Sequence, residues 1–82
     1  MAKTKQQTIE DGRQAQRLLN DEALMRVFAE VEGNIYDSFA SCDPMDPDEM
    51  MRLRSELFGV QTLRTRLRIW ADNAKIEEGK QN

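Results

Sequence analysis

The chain has 82 residues, a formal net charge of −3, one cysteine and no histidine. Such a length holds one small domain, whose core alone supplies little net stability. An internal disulfide is excluded, the usual zinc ligand sets and a serine–histidine–aspartate site lack their histidine, and the four isolated glycines form no phosphate-binding loop. Self-association is the reinforcement that remains, and it is the working expectation. The lone cysteine fits a reducing compartment. No apolar run is long enough to cross a bilayer, and the lysines of MAKTKQQTIEDG are followed by no apolar segment, so the expectation is a soluble protein without a secretory signal.

The charge is unevenly spread. Residues 1–20 carry four basic and two acidic side chains, residues 21–49 one basic and nine acidic, and residues 50–82 seven basic and four acidic, giving +2, −8 and +3. An acidic segment followed by a basic one suits two elements lying side by side better than it suits a nucleic-acid partner.

In chain order, residues 1–7 are expected to be disordered. The segment TIEDGRQAQRLL predicts a short helix over about 9–19, capped by Thr8. Its Ala15, Leu18 and Leu19 do not share the phase of the apolar stripe that begins at Leu24, so a kink or break is expected at Asn20. From there Leu24, Val27, Phe28, Val31, Ile35, Phe39 and Cys42 recur on one stripe at about 100° per residue, predicting a helix over 21–42 with Asn20 as its cap. Gly33 inside it reads equally as a close helix approach or as a tolerated surface glycine, at a cost of ~1 kcal/mol.

The stretch CDPMDPDEM reads as a hinge. Pro44 pushes Asp43 out of the α region and ends the first long helix near Cys42. Asp46 as cap, Pro47 at the first helical position and Glu49 three residues after the cap make a capping box. Asp43, Asp46 and Asp48 superficially resemble a calcium loop, but the turn glycine and the distant glutamate are missing, so no metal site is expected. Cys42 lies on the apolar stripe and reads as a small buried hydrophobe without an activating base. No catalytic residue and no cofactor is expected.

A second long helix is predicted over 47–78, stopped by Gly79, with residues 80–82 disordered. Met50, Leu53, Leu57, Val60, Leu63, Leu67, Trp70, Ala71 and Ala74 make one face at near-heptad spacing. Arg64 sits in that face and is expected to lie near Met25, paired with Asp21 or Glu22. At 1.5 Å per residue the two long helices span about 33 and 48 Å, so the second overshoots the first, and the N-terminal helix is expected to cover the excess. The fold expected is all-α: an antiparallel helical hairpin with a short extra N-terminal helix, self-associating into a helical bundle.

A weaker stripe carries the functional expectation. Met51, Phe58, Ile69 and Ile76 project from roughly the opposite side, with Thr62 and Thr65 between them. One partner helix cannot bury both faces, so this side is expected to meet another chain or the N-terminal segment. The protein-interface set is Met51, Phe58, Ile69, Trp70 and Ile76. The run RTRLR supplies Arg64, Arg66 and Arg68 as nucleic-acid contacts of a less favoured reading, because on a helix Arg66 faces nearly away from the other two.

The run RLLNDEALMRVFAEVEGNIYDSFASC, the hinge DPMDPDEM and the helix RLRSELFGVQTLRTRLRIWADNAKIEEGK together resemble a group of small helical proteins of tailed phages and prophages. The likeness covers residues about 17–80. Members occur among virion structural and packaging genes and have no assigned enzyme activity. The resemblance implies an accessory or structural role in phage assembly, in the bacterial cytoplasm or on the virion, with phage structural proteins as partners. Two rivals stand beside it: a nucleic-acid-binding module acting in DNA packaging or regulation, and a chaperone or regulator that caps an amphipathic helix of a partner.

Overall fold

The computed structural model describes residues 2–80. They form three α-helices, α1 (Lys5–Leu19), α2 (Glu22–Ser41) and α3 (Pro47–Gly79), and no strand.

Local capping explains each boundary. α1 begins four residues earlier than its periodicity suggests, because Thr4 rather than Thr8 is the cap. The Thr4 hydroxyl accepts the Gln7 N–H at 3.1 Å, and Thr8 donates its own N–H to the Thr4 carbonyl. Residues 5–7, expected to be disordered, are therefore helical. The break at Asn20 is present. Asn20 is spent as the C-terminal cap of α1, its N–H bonded to the Gln16 carbonyl, and the cap of α2 falls one residue later, on Asp21, whose carboxylate accepts the Leu24 N–H at 3.0 Å.

The hinge matches its sequence pattern with one correction. Cys42 is extended, the Asp43 carboxylate accepts the Met45 N–H, and Asp46 caps α3 by accepting the Glu49 N–H, with Pro47 in the first turn. The reciprocal half of the capping box is missing. The Asp46 N–H goes to the Asp43 carbonyl, and Glu49 turns outward to Arg52 at 2.5 Å. α3 ends at Gly79 without a left-handed residue; Lys80 stays right-handed and donates its N–H to the Ile76 carbonyl. Met1, Gln81 and Asn82, which the terminal expectations included, lie outside the described residues.

The packing departs more from expectation. The most extensive contact of α3 is with α1, not with α2. Its cause is small side chains at three-residue spacing on both helices: Gly12 and Ala15 on α1, Ala71 and Ala74 on α3, all buried. A methyl placed on Gly12 would sit 2.1 Å from the Ala74 Cβ and 2.5 Å from the Trp70 carbonyl oxygen, so only glycine admits this approach. Ile9 is buried beside it, and Arg13 pairs with Glu78 at 3.1 Å. Ahead of the helix, Lys3 places its ammonium 3.4 Å over the Trp70 ring and pairs with Asp11 at 2.8 Å. Gly33, weighed as a close-approach site, has nothing near its Cβ position.

α2 meets α3 more loosely. Phe28, Ile35 and Leu53 are buried, and Leu53 is the one large side chain fully enclosed among the described residues, at 2% exposure. Of the remaining predicted inner face, Leu57, Val60, Leu67 and Trp70 are half-buried, and Met50 and Leu63 are exposed. Arg64 finds an acid on α2, but it is Glu32, at 2.5 Å, rather than Asp21 or Glu22. Its guanidinium also lies 5.1 Å from the Phe28 ring centroid. The radius of gyration is 17.1 Å, against about 12 Å for a compact domain of this length. The accessible surface is 6350 Å², against roughly 5,000 Å² for a compact monomer of the same mass.

Candidate association surface

The second stripe of α3 is bare. Met51, Phe58, Ile69 and Ile76 are 66, 71, 38 and 56% exposed. Two shallow depressions run along this face, one lined by Met51, Arg54, Ser55 and Phe58, the other by Phe58, Gln61, Thr62, Thr65, Arg66 and Ile69. Every lining residue belongs to α3, so neither α1 nor α2 reaches this side. The N-terminal segment, one of the two covers expected for it, lies instead on Trp70, Ala71 and Ala74. Trp70, grouped with the stripe by sequence, stands on that other side, half-buried beneath Lys3.

The helix explains why the stripe persists. At about 100° per residue, Leu53 and Ala71 share one direction, whereas Met51, Phe58, Ile69 and Ile76 cluster some 140–160° from it. Four large apolar groups on an otherwise polar face fall on one line, interrupted at its centre by Thr62 and Thr65.

The arginines separate. Arg64 is withdrawn into its pair with Glu32, Arg66 borders the outer stripe, and Arg68 is exposed on another side. Arg52 is held between Glu49 and Glu56 at the hinge end, with both contacts at 2.5 Å. Hydrogen bonding and charge from Arg52 lower the Glu49 pKa from its ordinary value, and Glu49 raises that of Arg52 in return. At the other end Lys3, with help from Gln7, holds Asp11 below its usual carboxylate range.

Asp43 and Asp46 are occupied by turn and cap bonds, and among the described residues no group of three or more His, Cys, Asp or Glu side chains is placed to hold a metal ion. Cys42 is half-buried and its thiol donates to the Phe39 carbonyl. No helix among the described residues is long and apolar enough to cross a membrane.

A second feature was missed by sequence reasoning. An open cleft of about 580 Å³ lies between α2 and α3, lined by Val31, Ile35, Leu53, Val60 and Leu63 with Asn34, Ser38, Ser55 and Gly59 among them. The signal was present in part: Val27 and Val31 lie at the edge of the α2 stripe, and Gly59 and Ser55 are too small to fill the space opposite. Comparison with protein-family models, with curated proteins and with solved structures found no match.

Proposed function

We propose that this chain is a non-enzymatic helical association protein, a helical hairpin in which α2 folds back along α3, and that it works by docking the outer face of α3 on another protein surface. The observation that carries the reading is Phe58, 71% exposed in the middle of an apolar line that neither α1 nor α2 reaches. The surplus of accessible surface over that of a compact monomer supports it: a partner that covers α3 supplies burial the single chain lacks. The resemblance to small helical proteins of tailed phages and prophages supplies the setting, accessory or structural work in virion assembly, in the host cytoplasm or on the particle. Flanking portal, terminase or capsid genes support that setting; a metabolic operon removes it.

Replacing Phe58 and Ile69 together with glutamate tests the surface. Light scattering after size exclusion should read an assembly for the natural chain and a monomer for the variant, with unchanged helical circular dichroism. A natural chain that stays monomeric at high micromolar concentration sinks the reading.

The cleft between α2 and α3 favours a second reading, in which an amphipathic helix of a partner lies in the groove as a third helix. The nucleic-acid reading draws less support, since Arg64 is tied to Glu32 and Arg66 and Arg68 face different ways. Absence of binding at low salt removes it.

A further inference from the structure

We infer that the outer face of α3 is complementary to itself and joins two copies of this chain as an antiparallel pair related by a two-fold axis between Leu63 and Arg64. The inference rests on reading that face as an association surface, and it adds the partner and the register.

Order along the stripe carries it. Going outward from the axis, the chain meets Thr62 and Thr65, then Phe58 and Ile69 four residues further on either side, then Met51 and Ile76 seven further again. At about 100° per residue these six positions fall within roughly 60° of one another. The stripe therefore has the same spacing and the same character in both directions: hydroxyl, bulky apolar, bulky apolar. A two-fold axis at its centre sets Met51 on the partner's Ile76, Phe58 on the partner's Ile69 and Thr62 on the partner's Thr65, each contact occurring twice, as an isologous interface requires. The seven-residue intervals are those of helices that pack side by side over several turns.

Charge at the edges selects the direction. Arg54 and Asp72 lie along the same edge of the stripe, both exposed, and neither takes part in an ion pair among the described residues. In an antiparallel pair each edge meets its own counterpart, and the axis brings Arg54 nearly level with the partner's Asp72. On the other edge Ser55 comes nearly level with the partner's Asn73. In a parallel pair opposite edges meet, so Arg54 would face a serine and Asp72 an asparagine, and no charge would be matched.

Sedimentation equilibrium over a range of concentrations tests the register. The natural chain should show a mass rising from one chain to two. Arg54→Glu and Asp72→Arg should each weaken the pair about tenfold or more by setting like charges together, and the double exchange should restore it. If neither single change alters association while Phe58→Glu with Ile69→Glu still abolishes it, the face stands and this register is overturned. If the natural chain never exceeds one mass, the register and the association reading both fall. Oxidative cross-linking gives a separate check with Cys42 replaced by serine. Ser55→Cys mixed with Asn73→Cys should cross-link, and each alone should not. Cross-linking of Arg54→Cys mixed with Ser55→Cys in its place would reverse the direction of the pair.

Discussion

The two ends of α3 are packed by opposite means. Towards its C-terminus it meets α1 through Ala71 and Ala74 against Gly12 and Ala15, so closely that the Trp70 carbonyl oxygen stands where a Gly12 side chain would begin. Towards its N-terminus it meets α2 through large side chains, Leu53 and Ile35 lining one open cleft, with Phe28 buried further along beside Arg64. Small residues give contact between backbones with little apolar area; large residues give area, but only where the helices stay together. The longest helix of the molecule is thus gripped at one end and loosely sheltered at the other, and its outer side is left free along its whole length.

The grip is broken most directly at Gly12. Gly12→Leu should cost about 3 kcal/mol, the upper part of the range for overpacking, because the obstacle is backbone and cannot turn aside. The urea midpoint should fall and the Trp70 emission should shift towards that of an exposed indole. The same change at Gly33, which faces open space, should leave stability unchanged or raise it by about 0.5–1 kcal/mol, since the helix gains a better former and no clash. Equal effects at both glycines would contradict the close approach. At the loose end, Leu53→Ala should cost about 2 kcal/mol, near the bottom of the usual range, because neighbours beside a cleft can relax into the space. A loss well above that would mean the cleft end is as tightly packed as the other.

The smallest effect concerns the strap that Lys3 lays across Trp70. Asp11 titrates below its ordinary value of 3.8, chiefly because of the hydrogen bond from Lys3 and then that from Gln7. A carboxylate depressed in the folded state contributes stability that is complete above its unfolded value and is lost as pH falls through the folded one. Trp70 fluorescence should therefore change at a pH below 3.8, as Lys3 loses its anchor and leaves the ring. Asp11→Asn should remove that step while leaving the helical signal intact. An identical acid titration in the variant would show that Asp11 does not hold the strap.

Much of the architecture was legible in the chain. The break after Leu19, the hinge at Pro44 and the start of α3 at Pro47 depend on caps and prolines acting within four residues, and the apolar stripes of α2 and α3 arise from helical periodicity. The outer stripe was legible for the same reason. Errors arose where two local signals were equally good. Thr4 and Thr8 are both competent caps, and the one used belongs to a helix that extends past the first apolar residue to place Lys3 beside Trp70. Asn20 and Asp21 are both competent caps as well, and the backbone of Asn20 was already committed to α1. The pairing of Arg64 was misjudged because a register extrapolated from the hinge assumes that α2 hugs α3 throughout, and it does not.

What the sequence by itself determined is local: which segments are helical, where they stop, and which directions their apolar residues face. These properties come from hydrogen bonds and angles spanning a turn or so of chain. Only the tertiary structure decided which helix holds α3 most closely. That depends on how near two backbones can come, and a glycine in a helix carries no mark of whether another helix lies against it. Gly12 and Gly33 read alike in the chain; the carbonyl of Trp70 distinguishes them.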